Sequence, residues 1–168
     1  MVPGMTRSEV RQNMLRGALV YPLGDALATA LSGHWSAGRM LGVAAVGATL
    51  YAVEIPWVFG HIQTLSKRIA SPAKAGWLRA GLALAYFNPI WIVRHIFFLR
   101  LFAGEPLGTL DMLLRTAALS FAANLPLTLI GNAVIQMRVR LEHRFLASAI
   151  FSGLMASFLA LWERAFHG

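Results

Sequence analysis

Residues 80–102 read AGLALAYFNPIWIVRHIFFLRLF, 23 positions that decide what kind of protein this is. At about 1.5 Å of rise per residue, such a helix crosses a hydrocarbon core of roughly 30 Å with some tilt. Its interior nevertheless holds Asn88, Pro89, Arg94 and His95. A charge near mid-bilayer costs at least about 2.5–3.5 kcal/mol, so it faces a bundle interior or a wet cavity and finds a partner there. The segment therefore implies neighbouring helices, and the chain reads as an all-α polytopic membrane helix bundle.

Composition agrees. Of the 168 residues 57% are hydrophobic and only 13% charged, against about 25% charged in an average soluble domain, and the mean hydropathy is +0.60. One compact transmembrane domain fits this length. The lack of cysteine excludes disulfides, thiolate catalysis, iron–sulfur clusters and cysteine zinc sites. The net charge of +8 would suggest nucleic acid in a soluble protein. Here the basic residues lie between the apolar runs, where they set topology and meet anionic lipid head groups, so the bilayer is the expected partner and nucleic acid is not.

Outward from the opening stretch, five spans are expected, at about 17–33, 40–60, 80–102, 112–136 and 145–162. A four-span alternative lays the last helix along the interface. The first 16 residues are polar and lack the apolar run and cleavage site of a secretory signal. In the first span Tyr21, Asp25, Thr29 and Ser32 fall on one helical face. In the second, Tyr51, Glu54, Trp57 and His61 do the same, while the small residues Gly38, Gly42, Ala44, Ala45, Gly47 and Ala48 fill the other half of the span. The fourth carries Thr116, Ser120, Asn124, Thr128 and Asn132 at every fourth position, either as glue between helices or as a polar wall along a substrate path. The fifth lacks an interior charge and offers a small face of Ser148, Ser152, Ala156 and Ala160, expected to dock outside the other four. Its far end is marked by Trp162, Glu163 and Arg164.

The longest and most basic link is expected at 61–79, around a Ser71–Pro72 break. With the N-terminus inside, Arg7, Arg11, Arg16, Lys67, Arg68, Lys74, Arg79, Arg138, Arg140 and Arg144 are cytoplasmic, whereas Arg39, Arg100, Arg115 and Arg164 are outside. The positive-inside rule thus selects N-in and C-out. A bacterial inner membrane is the expected location.

Each of the first four spans pairs an interior proline with a polar residue: Pro22 with Asp25, Pro56 with Glu54, Pro89 with Asn88, Pro126 with Asn124. Four helices broken around a polar centre is a transporter layout. Residues 54–62 and 88–96, EIPWVFGHI and NPIWIVRHI, hint at an inverted repeat. Glu54 with Arg94 is the expected ion pair, with His95 as a second partner or proton acceptor. Asp25 is a possible second acid, placed nearer the aqueous edge. The alternative for this pair is a purely structural role. No two histidines share a helix at i and i+4, and no Ser–His–Asp set or phosphate loop can be assembled, so neither a metal, a cofactor nor an enzyme is expected.

Leu31-Ser-Gly33, Arg39, Ser71-Pro72 with Gly76-Trp77, Leu84-Ala-Tyr86, Pro89, Asn124 and Gly131 with Ala133-Val134 follow the order of landmarks in the bacterial L-alanine exporter family, which the chain resembles over about 31–145. Gly24-Asp25, Gly38-Arg39, Phe87-Asn-Pro89, Gly104 and 143–162 look like the Mpv-type family of mitochondrial and peroxisomal membrane proteins, without that family's tryptophan and glutamine landmarks. Both resemblances imply a small solute exporter or channel. The combined expectation is export of a small zwitterionic or anionic solute, with alanine the first choice. The path would be lined by Glu54, Asn88, Arg94, His95, Asn124 and Thr128, with protons as a second cargo should they drive the cycle. The competing expectation is an accessory subunit of a larger membrane complex, or a homo-oligomer, in which the polar centre only holds helices together.

Overall fold

The computed structural model describes residues 5–32 and 35–167, with the side chains of 32, 88 and 158–167 outside that description. Among the described residues every regular element is helical: α1 (Arg7–Ser32), α2 (Ala37–Ser66), α3 (Pro72–Ala103), α4 (Leu110–Arg138) and α5 (Leu141–His167). Of these, α2, α3 and α4 are long and apolar enough to cross a membrane. The expected marker residues Trp162, Glu163 and Arg164 lie outside the described side chains.

Helix starts follow local chemistry. Thr6 and Glu9 form a reciprocal cap on α1, the Thr6 hydroxyl accepting from the Glu9 N–H at 3.2 Å and the Glu9 carboxylate accepting from the Thr6 N–H at 2.7 Å. The Thr6 N–H foremost, and then the Thr6 hydroxyl donating to the same carboxylate at 2.8 Å, hold the Glu9 carboxyl below the ordinary range. Ser71 caps α3 through the Lys74 N–H with Pro72 in the first turn, and Thr109 caps α4 through the Met112 N–H. Gly104, at φ 72°, supplies the left-handed residue that ends α3. The 61–79 link is thereby corrected: α2 continues to Ser66 and α3 begins at Pro72. Long basic side chains are good helix formers, so their charge did not mark a loop.

The prolines correct a second expectation. Pro22, Pro56, Pro89 and Pro126 all lie inside continuous helices, so the segments are not unwound there. Each lacks an N–H for the carbonyl four residues earlier, and that earlier residue is Ala18, Ala52, Ala85 or Ala122. The one departure from α geometry inside a long helix is a π-helical segment at Gly47–Tyr51. Its additional residue widens the turn, and the consecutive residues Tyr51 and Ala52 are both fully buried. The face expected from Tyr51, Glu54, Trp57 and His61 is not continuous: Tyr51 is enclosed while Trp57 and His61 are exposed, since at about 100° per residue Tyr51 sits well to one side of the others.

The helices form two compact units, Met1–Ile55 with Phe145–Gly168, and Pro56–Arg144. In the first, a Cβ at Gly17 would overlap the Gly47 carbonyl oxygen, and one at Gly24 would lie 2.8 Å from the Gly153 Cα. Thus α1 meets α2 and α5 backbone to backbone, the close approach that glycine at a helix crossing allows. Tyr21 lies beside Tyr51, with ring centroids 5.0 Å apart, and beside Phe145. The docking face of α5 is Ala149, Gly153 and Ser157, one residue out of phase with the expected 148, 152 and 156. The Ser152 hydroxyl donates to the Ser148 carbonyl at 2.9 Å and the Ser157 hydroxyl to the Gly153 carbonyl at 3.0 Å, so both serines bond along their own helix.

In the second unit α3 packs along α4, with Ala80, Ala83, Leu113, Ala117, Ala133 and Ile135 buried. Phe59 and Phe87 meet edge to face at 5.3 Å. Across both units apolar side chains point outward. Leu15, Leu19, Leu23 and Leu27 form an exposed ladder on α1, 50–67% accessible, while the predicted polar residues Tyr21, Asp25 and Thr29 are buried. That polarity is inverted relative to a water-soluble bundle and suits a hydrocarbon solvent.

Candidate functional site

The first unit contains a buried ion pair. Arg39, in the first turn of α2, reaches Asp25 on α1, its Nη2 donating to Oδ1 at 2.6 Å and its Nε donating to the same oxygen at 2.9 Å. Asp25 is 8% accessible. Its partner Arg39 stands inside the first turn of α2 and not in the connection before it, where the sequence placed it. Glu54 belongs to the same unit and is partly accessible.

The second unit carries the other expected path residues. The Asn88 side chain lies outside the described residues. Arg94 and His95 are partly buried on α3, and His95 stacks on Trp91 with ring centroids 4.3 Å apart and planes 12° from parallel. The same four-residue spacing brings Trp57 and His61 to 4.2 Å, so the two related sequence segments share a local Trp–His contact. His61 also contacts the Trp57 carbonyl through Nδ1 at 2.9 Å.

On α4 Asn124 and Asn132 are buried, Thr128 and Ser120 are partly so, and Thr116 is exposed. The Thr128 hydroxyl donates to the Asn124 carbonyl at 2.7 Å, and the Asn132 amide donates to the Thr128 carbonyl at 2.9 Å. Two of the stripe's five side chains, Thr128 and Asn132, are thus turned back on their own helix, as short polar side chains tend to do. No group of three His, Asp or Glu side chains able to hold a metal ion occurs among the described residues.

Sequence reading missed a basic cluster at one end of the second unit. Gln136 is fully buried near the end of α4, and its backbone carbonyl accepts from two guanidiniums, Arg79 Nη2 and Arg144 Nη2, each at 3.1 Å. Arg144, 6% accessible, also donates from Nε to the Val139 carbonyl at 3.0 Å and from Nη1 to the Gln63 Oε1 at 2.8 Å. Arg79 donates from Nη1 to the Ser66 hydroxyl at 3.2 Å. Every one of these acceptors is neutral. Sharing one oxygen keeps the two nitrogens within about 6 Å, where like charges repel by about 3 kcal/mol at an effective dielectric near 20. Burial first, and the Arg79 charge second, pull Arg144, outside the 145–162 span, down to about 10, with Glu142 opposing them. The available signal was Gln136 itself, an amide closing an otherwise apolar turn; the arginines were read only as topology markers.

No family model, no characterised protein and no solved structure matches this chain.

Proposed function

We propose that the protein is a small multi-pass transporter that exports a zwitterionic or anionic metabolite across a bacterial inner membrane, alanine being the first candidate. The observation that carries this reading is the inverted polarity: Asp25, Asn124 and Asn132 are buried within helices whose leucines face outward. Polar groups at membrane depth are costly, and they recur where a solute must pass. In this reading all five helices span, the N-terminus is cytoplasmic, and α1 qualifies through its leucine ladder although its mean composition is more polar. In the path expected from the sequence Arg94 clamps the substrate carboxylate beside Asn88, His95, Asn124 and Thr128, and Glu54 is a proton-binding acid. The resemblance to the L-alanine exporter family supplies the choice of amino acid.

Efflux of labelled alanine from proteoliposomes, with and without a pH gradient, tests it. Native protein should exceed empty liposomes, and Arg94→Gln and Glu54→Gln should lose at least tenfold in flux at unchanged helicity. Flux equal to empty liposomes, or native flux in both variants, would overturn the assignment. A second reading, the accessory subunit, is favoured by one observation, that Thr128 and Asn132 spend hydrogen bonds on their own helix. Purification of a stoichiometric companion in mild detergent would select it.

A further inference from the structure

The basic cluster of the second unit has no place in the path described above, and its chemistry is incomplete. Arg79 and Arg144 form no ion pair among the described residues. The nearby acid Glu142 acts on Arg144 through space but is ion-paired to Arg140 at 2.7 Å, its side chain 42% accessible. Three buried polar atoms at this point also find no hydrogen-bond partner: Arg79 Nε, Gln136 Nε2 and Gln136 Oε1. A buried amide with both ends unmet is expensive, and an enclosed guanidinium beside a half-buried one, both bonded only to neutral oxygens, adds to that cost. Each deficit has the same remedy, an anion rich in oxygen.

We propose that Arg79, Arg144 and the side-chain amide of Gln136 form a binding site for a phosphate that carries a hydroxyl, supplied either by a phosphomonoester lipid head group or by free phosphate. Two guanidiniums give forked donors suited to tetrahedral oxyanions. Gln136 adds one donor for a further oxygen and one acceptor for the P–OH, a combination that a carboxylate does not use fully. Lys67, Arg68, Lys74 and Arg138, on the adjoining segments, are exposed and raise the local concentration of anions. The site is independent of the transport reading, since its test measures binding and not flux.

The protein in mild detergent is to be titrated with inorganic phosphate at constant ionic strength, following the thermal unfolding midpoint. In parallel, native mass spectrometry counts retained phosphatidic acid against phosphatidylcholine. A phosphate-dependent rise in midpoint assigns free phosphate, whereas selective retention of phosphatidic acid alone assigns the lipid head group. In either case Arg79→Gln and Arg144→Gln should weaken binding roughly tenfold to a hundredfold, the range for a charge-assisted hydrogen bond. Arg138→Gln, which removes an exposed charge, should change it less than twofold. Should Arg144→Gln fail to fold, the partly accessible Arg79 carries the test. Failure of native protein to bind either probe, native-like binding in Arg79→Gln, or equal loss in Arg138→Gln would overturn the site.

Discussion

Replacing Asp25 by Asn keeps the shape of the side chain and removes its charge, leaving Arg39 facing a neutral amide. The pair is close and two-pronged, at 2.6 and 2.9 Å, with side chains 7% and 18% accessible. Opposite charges about 4 Å apart at an effective dielectric near 20 attract by about 4 kcal/mol. Removing one member of a buried pair costs about 3–5 kcal/mol, because the remaining charge stays desolvated. Arg39 retains some contact with solvent, so the lower end, about 3 kcal/mol, is expected for Asp25→Asn. Arg39→Met should cost a similar amount, and the double variant should recover about 2 kcal/mol relative to additivity. Reversible unfolding in mixed micelles of rising dodecyl sulfate fraction, followed by far-UV circular dichroism, measures all three. A cost below about 0.5 kcal/mol for Asp25→Asn, or strict additivity in the cycle, would refute the claim that this pair fastens α1 to α2.

Two further outcomes are expected. Gly17→Val should separate α1 from α2 and lower the unfolding midpoint in the same assay by several kcal/mol equivalents, because its Cβ would overlap the Gly47 carbonyl oxygen, whereas Gly60→Ala, with nothing within 4 Å, should be neutral or stabilising by up to about 1 kcal/mol. Glu9 has a lowered pKa in the folded chain, so its cap contributes above the ordinary carboxylate value of 4.5 and is lost as pH falls through the lower folded value; amide exchange in the first turn of α1 should accelerate on acidification, and Glu9→Gln should abolish that dependence.

How far the sequence could be read varies with the physics behind each element. Helix identity and the buried face of α1 were legible because Tyr21, Asp25 and Thr29 recur at helical spacing against outward leucines. The Ser71–Pro72 start was legible for the same local reason, but its neighbour Ser66 was not, since nothing in a run of basic residues distinguishes a frayed helix from a loop. The π-helical segment at Gly47–Tyr51 left no periodic trace, and it rotates the residues after it relative to the small residues before it by a fraction of a turn. On α5 serine and alanine at 148, 152 and 156 resembled the true face at 149, 153 and 157, and only Gly24 on the opposing backbone decides between them. For the site, single buried polar residues could be picked out, whereas the partnership of Arg79, Gln136 and Arg144 depends on positions 57 and 8 residues apart in the chain.

The contact between Gly24 and Gly153 also sets an order of manufacture. The unit that contains α1 is discontinuous, joining Met1–Ile55 to Phe145–Gly168, while Pro56–Arg144 is a single uninterrupted run. A ribosome adding about 5–20 residues each second exposes the first helix for roughly 5–20 seconds before the strand of chain that covers its glycine face emerges. During that interval α1 is held to α2 through Asp25–Arg39, the Gly17–Gly47 crossing and the Tyr21–Tyr51 contact. A nascent chain stopped at residue 144 would therefore carry a finished second unit and an unclosed first one, and the bare surface around Gly24 would be the place where a membrane chaperone or a degrading protease finds it.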